Sequence, residues 1–215
     1  MMRIAYLHGF SSSPASIKGQ LLARAIDALP ADTKPGYFLP RLSPRPREAV
    51  AALSAWVGAT PDGASITFVG SSLGGFYAMH LAERYGASAV LINPAIHPEI
   101  DLAPYVGIQR NLYTGEPYEF RAQDLADLAS LAVERISRPE RYFLLVETGD
   151  EVLDYRVAVR FYAGAWQFVQ GGGDHAFRSF AEQIPAILRF AGVEASSVTP
   201  RGPVTSFVAD SSTGR

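Results

Sequence analysis

Apolar runs of four or five residues alternate with longer segments of helical period from the amino end of the chain to about position 190. The runs at 4–7, 36–39, 65–69, 89–92, 142–146 and 166–169 read as strands. The segments at 17–29, 47–57, 75–85, 124–133, 155–162 and 176–190 space their apolar residues three and four apart and read as helices. The strands are apolar at successive positions rather than at every second one. Such strands are covered on both faces, as in a parallel sheet with helices above and below it. The predicted fold class is α/β: a mostly parallel open sheet with helices on both faces. Sheets of this kind bind ligands beyond the carboxyl ends of their strands, so the loops that begin where each strand stops carry the functional information.

One connection is too long for a simple crossover. Residues 93–138 contain one helical segment and, before it, an irregular run with Tyr105, Leu112, Tyr113, Tyr118 and Phe120. It reads as a short insertion over the site, either a lid or a covering loop packed on the core. Residues 1–193 have the length and hydrophobic content of a single domain. From 194 to 215 the helical period is lost and Ser, Thr, Gly and Pro dominate, so a flexible tail is expected there.

Composition narrows the partners. A net charge of −2, with the 19 Lys and Arg scattered, leaves no basic stripe for nucleic acid. No segment approaches the roughly 20 apolar residues of a membrane span, and the amino end does not read as a secretory leader. The expectation is a cytoplasmic protein with no nucleic-acid partner. The absence of cysteine excludes disulfides, a thiolate nucleophile and Cys-based metal sites. The four histidines, His8, His80, His97 and His175, lack the i, i+4 spacing of a helical zinc pair. No metal or other cofactor is expected.

The candidate chemistry is that of an activated serine. Gly70-Ser71-Ser72-Leu73-Gly74 follows one apolar run directly and opens a helical segment. A serine at so tight a strand-to-helix turn is held with its hydroxyl projecting from the sheet, and small flanking residues let strand and helix close together. The same string also occurs as an ordinary turn with serine as helix cap. Its company favours the first reading, with Ser72 as nucleophile. A serine hydroxyl needs a base, an acid to orient that base, and donors for the oxyanion. His175, in the glycine-rich run after the last strand, is the candidate base. Asp150, directly after the turn glycine that follows the 142–146 strand, is the candidate acid, whereas Asp154 is placed to cap the next helix. The chain order Ser72, Asp150, His175 is that of α/β-hydrolases. The backbone N–H groups of Leu73 and Phe10 are the candidate oxyanion donors, Phe10 lying in the loop after the first strand. His8 is expected to stabilise that loop and His80 to be a packed or surface residue. Tyr113 and His97 are candidate residues of the substrate pocket.

Six strings then fall in one collinear order: YLHGFSSSP at 6–14, GSSLGG at 70–75, NPA at 93–95, YTGE at 113–116, TGDEVLDYR at 148–156 and GGGDHAF at 171–177. With them the chain resembles the YqiA-type bacterial esterases of the α/β-hydrolase superfamily over about residues 3–192. The resemblance implies a minimal hydrolase fold, a Ser72-Asp150-His175 triad, and a small-molecule acyl ester or thioester as substrate. A C–C hydrolase using the same triad, or a binding module on a hydrolase fold without catalysis, are the alternatives that sequence leaves open.

Overall fold

Every strand of the main sheet runs parallel to its neighbours, in the order β2-β1-β3-β4-β7-β8. In this computed structural model, which describes residues 1–194, those strands are β1 (Met2–Leu7), β2 (Gly36–Phe38), β3 (Ser65–Ser71), β4 (Ser88–Ile92), β7 (Tyr142–Glu147) and β8 (Trp166–Gln170). The expected tail at 195–215 lies outside the described residues.

Alternate strand residues enter two separate apolar layers, which is why the runs are apolar throughout. Ile4 and Tyr6 of β1, Val69 of β3, Val90 and Ile92 of β4, and Leu145 of β7 meet α1 (Ile17–Asp27) and α7 (Phe180–Phe190) on one face. Ala5, Leu7, Phe68, Leu91, Leu144 and Val146 meet α2 (Pro46–Gly58), α3 (Leu73–Tyr85), α5 (Ala122–Ser130) and α6 (Tyr155–Phe161) on the other. Each large side chain fully buried there contributes roughly 1.5–3 kcal/mol relative to exposure. The predicted two-faced α/β sheet is therefore present, and among the described residues no helix is long and apolar enough to cross a membrane.

All six helices differ from their predicted bounds by one to four residues, two of them at their start for visible local reasons. The last begins at Phe180 rather than 176, because Phe177 adopts a left-handed backbone, φ 52°, that a helix cannot contain. The helix of the long connection begins at Ala122, since the Asp124 carboxylate reaches back to accept the Arg121 N–H at 2.8 Å. The first ends at Asp27.

The long connection is the main correction. Its first part is ordered rather than irregular: a single turn, α4 (Pro98–Asp101), leads to an antiparallel hairpin of β5 (Gly107–Arg110) and β6 (Pro117–Phe120). Four-residue strands are too short to show a clear period, and the hairpin is closed by Asn111, whose Oδ1 accepts from the N–H groups of Tyr113 and Thr114 at 2.9 and 3.0 Å. The connection is also fastened down. Arg41 pairs with Glu116, Arg45 with the buried Asp124, and Arg47 with Asp127 at 2.7 Å. At the hairpin tip the N–H of Leu112 donates to Ser11 O at 2.7 Å, and Asn111 Nδ2 donates to Ser12 O at 2.7 Å.

The parallel arrangement brings the loops after β1, β3, β4, β7 and β8 to one edge. The chain leaves β1 toward β2 on one side and leaves β3 toward β4 on the other, so the loops after the adjacent strands β1 and β3 diverge and leave a crevice between them. Glycine lets the crevice be shallow. A Cβ on Gly74 would fall inside the carbonyl of Leu7, and one on Gly70 inside that of Gly74. Gly74→Ala should therefore destabilise the fold by about 1–3 kcal/mol, an overpacking cost. Gly58→Ala, with no atom within 4 Å of its would-be Cβ, should change stability by no more than about 1 kcal/mol. Thermal unfolding of the two variants checks the contrast.

Candidate active site

Ser72 sits between β3 and α3 with φ 56° and ψ −121°, a backbone conformation that a non-glycine residue holds only under constraint. The constraint is hydrogen bonding. Its N–H donates to Ile92 O at 3.0 Å, and its carbonyl accepts from Gly75 and Ala95 at 2.9 and 3.2 Å. Gly75 is pressed against Pro94, where a Cβ would come within 2.7 Å of the proline side chain.

His175 Nε2 lies 3.1 Å from Ser72 Oγ, and its Nδ1 lies 2.9 and 3.0 Å from the two carboxylate oxygens of Asp150. A carboxylate only accepts, so Nδ1 carries the hydrogen and Nε2 is left to accept from the serine hydroxyl. The Asp150 side chain is 2% exposed, and its Oδ1 also accepts the N–H groups of Val152 and Leu153 at 2.9 Å each. Burial pushes its pKa up, but the hydrogen bond from His175 and those backbone N–H groups outweigh it and hold the carboxyl below the ordinary range. Asp154 instead caps α6, accepting from Arg156 N–H at 3.0 Å.

Leu73 is the first residue of α3, where backbone N–H groups have no partner within the helix. The loop after β1 brings Gly9 against Ser72, with only 3.3 Å between its would-be Cβ and the serine Cβ, so the Gly9–Phe10 peptide borders the Ser72 side chain. His8 secures this loop from behind. Its Nδ1 faces Gly9 O at 3.0 Å and its Nε2 accepts from Leu42 N–H at 3.1 Å, roles that together require a neutral ring. Burial holds its pKa below the ordinary value, against the hydrogen bond to Gly9, which acts to raise it.

Two cavities meet at Ser72. One, of about 610 Å³, runs under α4 and the hairpin past Leu102 and Tyr105; the other, of about 380 Å³, runs past Tyr113 and Phe177. Phe10, Leu112 and His175 line both. His97 lines neither. It borders a separate hollow with Pro94 and Leu153, and its imidazole lies 3.6 Å from Glu99. His80 is bound to Leu131 O at 2.9 Å, away from the site. Among the described residues no group of His, Asp and Glu side chains forms a metal-ligand set.

A profile of the uncharacterised protein family UPF0227 matches residues 3–192. The chain belongs to that family. A UPF0227 protein of Shewanella oneidensis is 27% identical over 128 residues, which are 57% of this chain and 63% of the relative, so the match spans less than two thirds of that relative's length. Among solved structures, a protein of Agrobacterium vitis described as a hydrolase superposes with a TM-score of 0.70 at 19% identity, covering 89% of this chain and 88% of that one. Est1E from Butyrivibrio proteoclasticus superposes with a TM-score of 0.63 at 14% identity, covering 90% and 89%. At these identities the likeness establishes the α/β-hydrolase fold of this UPF0227 chain.

Sequence reasoning did not single out Asn93, Glu147 or Glu151, which hydrogen-bond the His175 loop, or Ser179, through which that loop also bonds Glu147. A signal for Glu147 was present: a carboxylate closing an otherwise apolar strand.

The neutral ring of His8 has a measurable consequence. The unfolded chain takes up this proton near pH 6.5 and the folded protein only at lower pH, so stability falls as pH drops below about 6.5. His8→Gln should lose less stability than the wild type between about pH 7 and pH 5, as read by urea unfolding. Equal losses would assign the acid sensitivity to other groups.

Proposed function

We propose that the protein is a serine hydrolase that cleaves carboxylic esters or acyl thioesters through an acyl-enzyme intermediate. The observation that carries the reading is the unbroken chain of contacts from Asp150 through His175 to Ser72 Oγ, at 2.9 and 3.1 Å. In the mechanism this supports, Ser72 Oγ attacks the carbonyl carbon while His175 Nε2 takes its proton. Asp150 keeps the ring in the Nδ1–H form and stabilises the imidazolium. The oxyanion is met by the N–H groups of Leu73 and Phe10. Collapse of the tetrahedral adduct expels the alcohol or thiol with the proton from His175, and water then attacks the acyl-enzyme with His175 again as base. The fold shared with a hydrolase and with Est1E is consistent with this chemistry but does not identify the substrate.

Incubation with a fluorophosphonate and mass spectrometry tests the reading. One label per chain, on Ser72 and absent from Ser72→Ala, is expected; a chain that stays unlabelled would remove the activated serine. Ser72→Ala and His175→Ala should each lower kcat by about 10⁴–10⁶, and the double variant should be little worse, because the two groups act as one unit. Asp150→Asn should cost about 10⁴ in kcat through the wrong tautomer. Asp154→Asn should leave kcat near that of the wild type, and the reverse ranking would move the acid to Asp154.

The two cavities set expectations for substrate size. Affinity should grow by at most about 0.8 kcal/mol per added methylene until a cavity is filled. Tyr113→Ala enlarges the smaller cavity without touching the triad, and should shift preference toward bulkier substrates while acetyl ester turnover stays nearly intact. A uniform loss over a graded ester series would make Tyr113 a packing residue.

A further inference from the structure

β4 and β7 end in two buried polar residues that the proposed chemistry does not use. Asn93, 2% exposed and held at φ 39°, donates through Nδ2 to the carbonyls of Asp174 and His175, at 3.1 and 3.3 Å. Its Oδ1 accepts the N–H of Glu147 at 3.0 Å, and its own N–H donates to Leu145 O at 2.9 Å. Glu147, 1% exposed, accepts the N–H of Asp174 on Oε2 at 2.9 Å. Its Oε1 accepts the hydroxyl of Ser179 at 2.7 Å and, less closely, the Ser179 N–H at 3.4 Å. A Cβ on Gly173 would overlap the Glu147 carboxylate, so the loop backbone lies directly on it.

The His175 loop thus has both sides of its 174 peptide unit bound to the strand ends, while the N–H of His175 goes to Glu151 at 2.9 Å. The need for such binding is local. Gly171, Gly172 and Gly173 precede the histidine, the last two with left-handed backbones, and glycine gives the chain its greatest conformational freedom. A buried carboxylate is costly unless it is fully hydrogen-bonded, and a strand end could be filled by an apolar side chain instead.

We propose that Asn93 and Glu147 are positioning residues that clamp the 173–179 loop and so keep the His175 imidazole spanning Asp150 and Ser72. The proposal rests on the serine hydrolase reading. Neither residue touches the reacting atoms. Their effect passes entirely through the placement of one ring, for which an error of about 1 Å can cost about 100-fold in rate.

The test is a set of double variants assayed with an activated p-nitrophenyl ester. In the otherwise native chain, Glu147→Ala and Asn93→Ala should each lower kcat by about 100-fold with KM nearly unchanged, and Glu147→Gln, which keeps an acceptor for Asp174, should recover most of the loss. In the His175→Ala background, whose residual rate comes from binding and the oxyanion donors, the same changes should have no further effect. Equal losses in both backgrounds would overturn the clamp in favour of a general structural role. If circular dichroism shows Glu147→Ala unfolded, Asn93→Ala and Ser179→Ala decide by the same comparison. A crippled His175→Ala beside full-rate Glu147→Ala and Asn93→Ala would overturn the clamp alone. An undiminished rate in His175→Ala would overturn the hydrolase reading, and the clamp with it.

Discussion

The left-handed backbone of Ser72 is the constraint on which the rest of the site depends. A serine at φ 56° is costly by itself, and it persists because its N–H and carbonyl are tied to Ile92, Gly75 and Ala95 in the neighbouring loop and strand. No side chain fits at the neighbouring positions, where a Cβ on Gly70 would meet the Gly74 carbonyl, one on Gly74 the Leu7 carbonyl at the end of β1, and one on Gly75 the Pro94 ring. In return the hydroxyl stands clear of the sheet, 3.1 Å from the His175 imidazole carried on a different loop.

The His175 imidazole is harder to hold than the Ser72 hydroxyl. Loops at the edge of a parallel sheet have no ladder to satisfy their backbone groups, so side chains must do it. His8 does so for the loop after β1, Asp150 for its own turn, and Asn93 and Glu147 for the loop after β8. The four non-glycine residues with left-handed backbones among the described residues are Ser11, Ser72, Asn93 and Phe177, in the loops after β1, β3, β4 and β8. Strain collected at one edge, and offset by polar groups reaching back into the sheet, is the pattern of a preorganised site.

Much of this was legible in the sequence, for identifiable reasons. The strands were visible because burial on both faces leaves continuous apolar runs, and Ser72, Asp150 and His175 because each lies in the short segment that follows such a run. The hairpin at 107–120 was not visible, since its two four-residue strands place half their residues in solvent and are fixed by Asn111 and by contacts with a loop about a hundred positions away. His97, a candidate pocket residue from its position after β4, directly precedes α4 and borders a separate hollow. Asn93 and Glu147 escaped because their partners, backbone atoms and the Ser179 hydroxyl, lie 27 to 82 positions away along the chain and leave no spacing pattern to read.

The connection between β4 and β7 unites these threads. Three arginine–carboxylate pairs join it to the 41–47 segment, and its hairpin tip bonds to Ser11 and Ser12 in the loop that carries the Phe10 N–H. Tyr118 adds a hydroxyl contact to Ser11 at 2.7 Å, and the Phe10 ring sits edge-on to Phe120 with centroids 5.1 Å apart. A swinging lid would have to break these contacts together and would take the loop with it. The hairpin is better understood as a fixed wall that shares its fastenings with the loop that carries Phe10. Leu112, on that wall, lines both cavities that reach Ser72. Leu112 is therefore joined through its own N–H to the loop that carries Phe10, so the wall shared by both cavities and that loop are held as one piece.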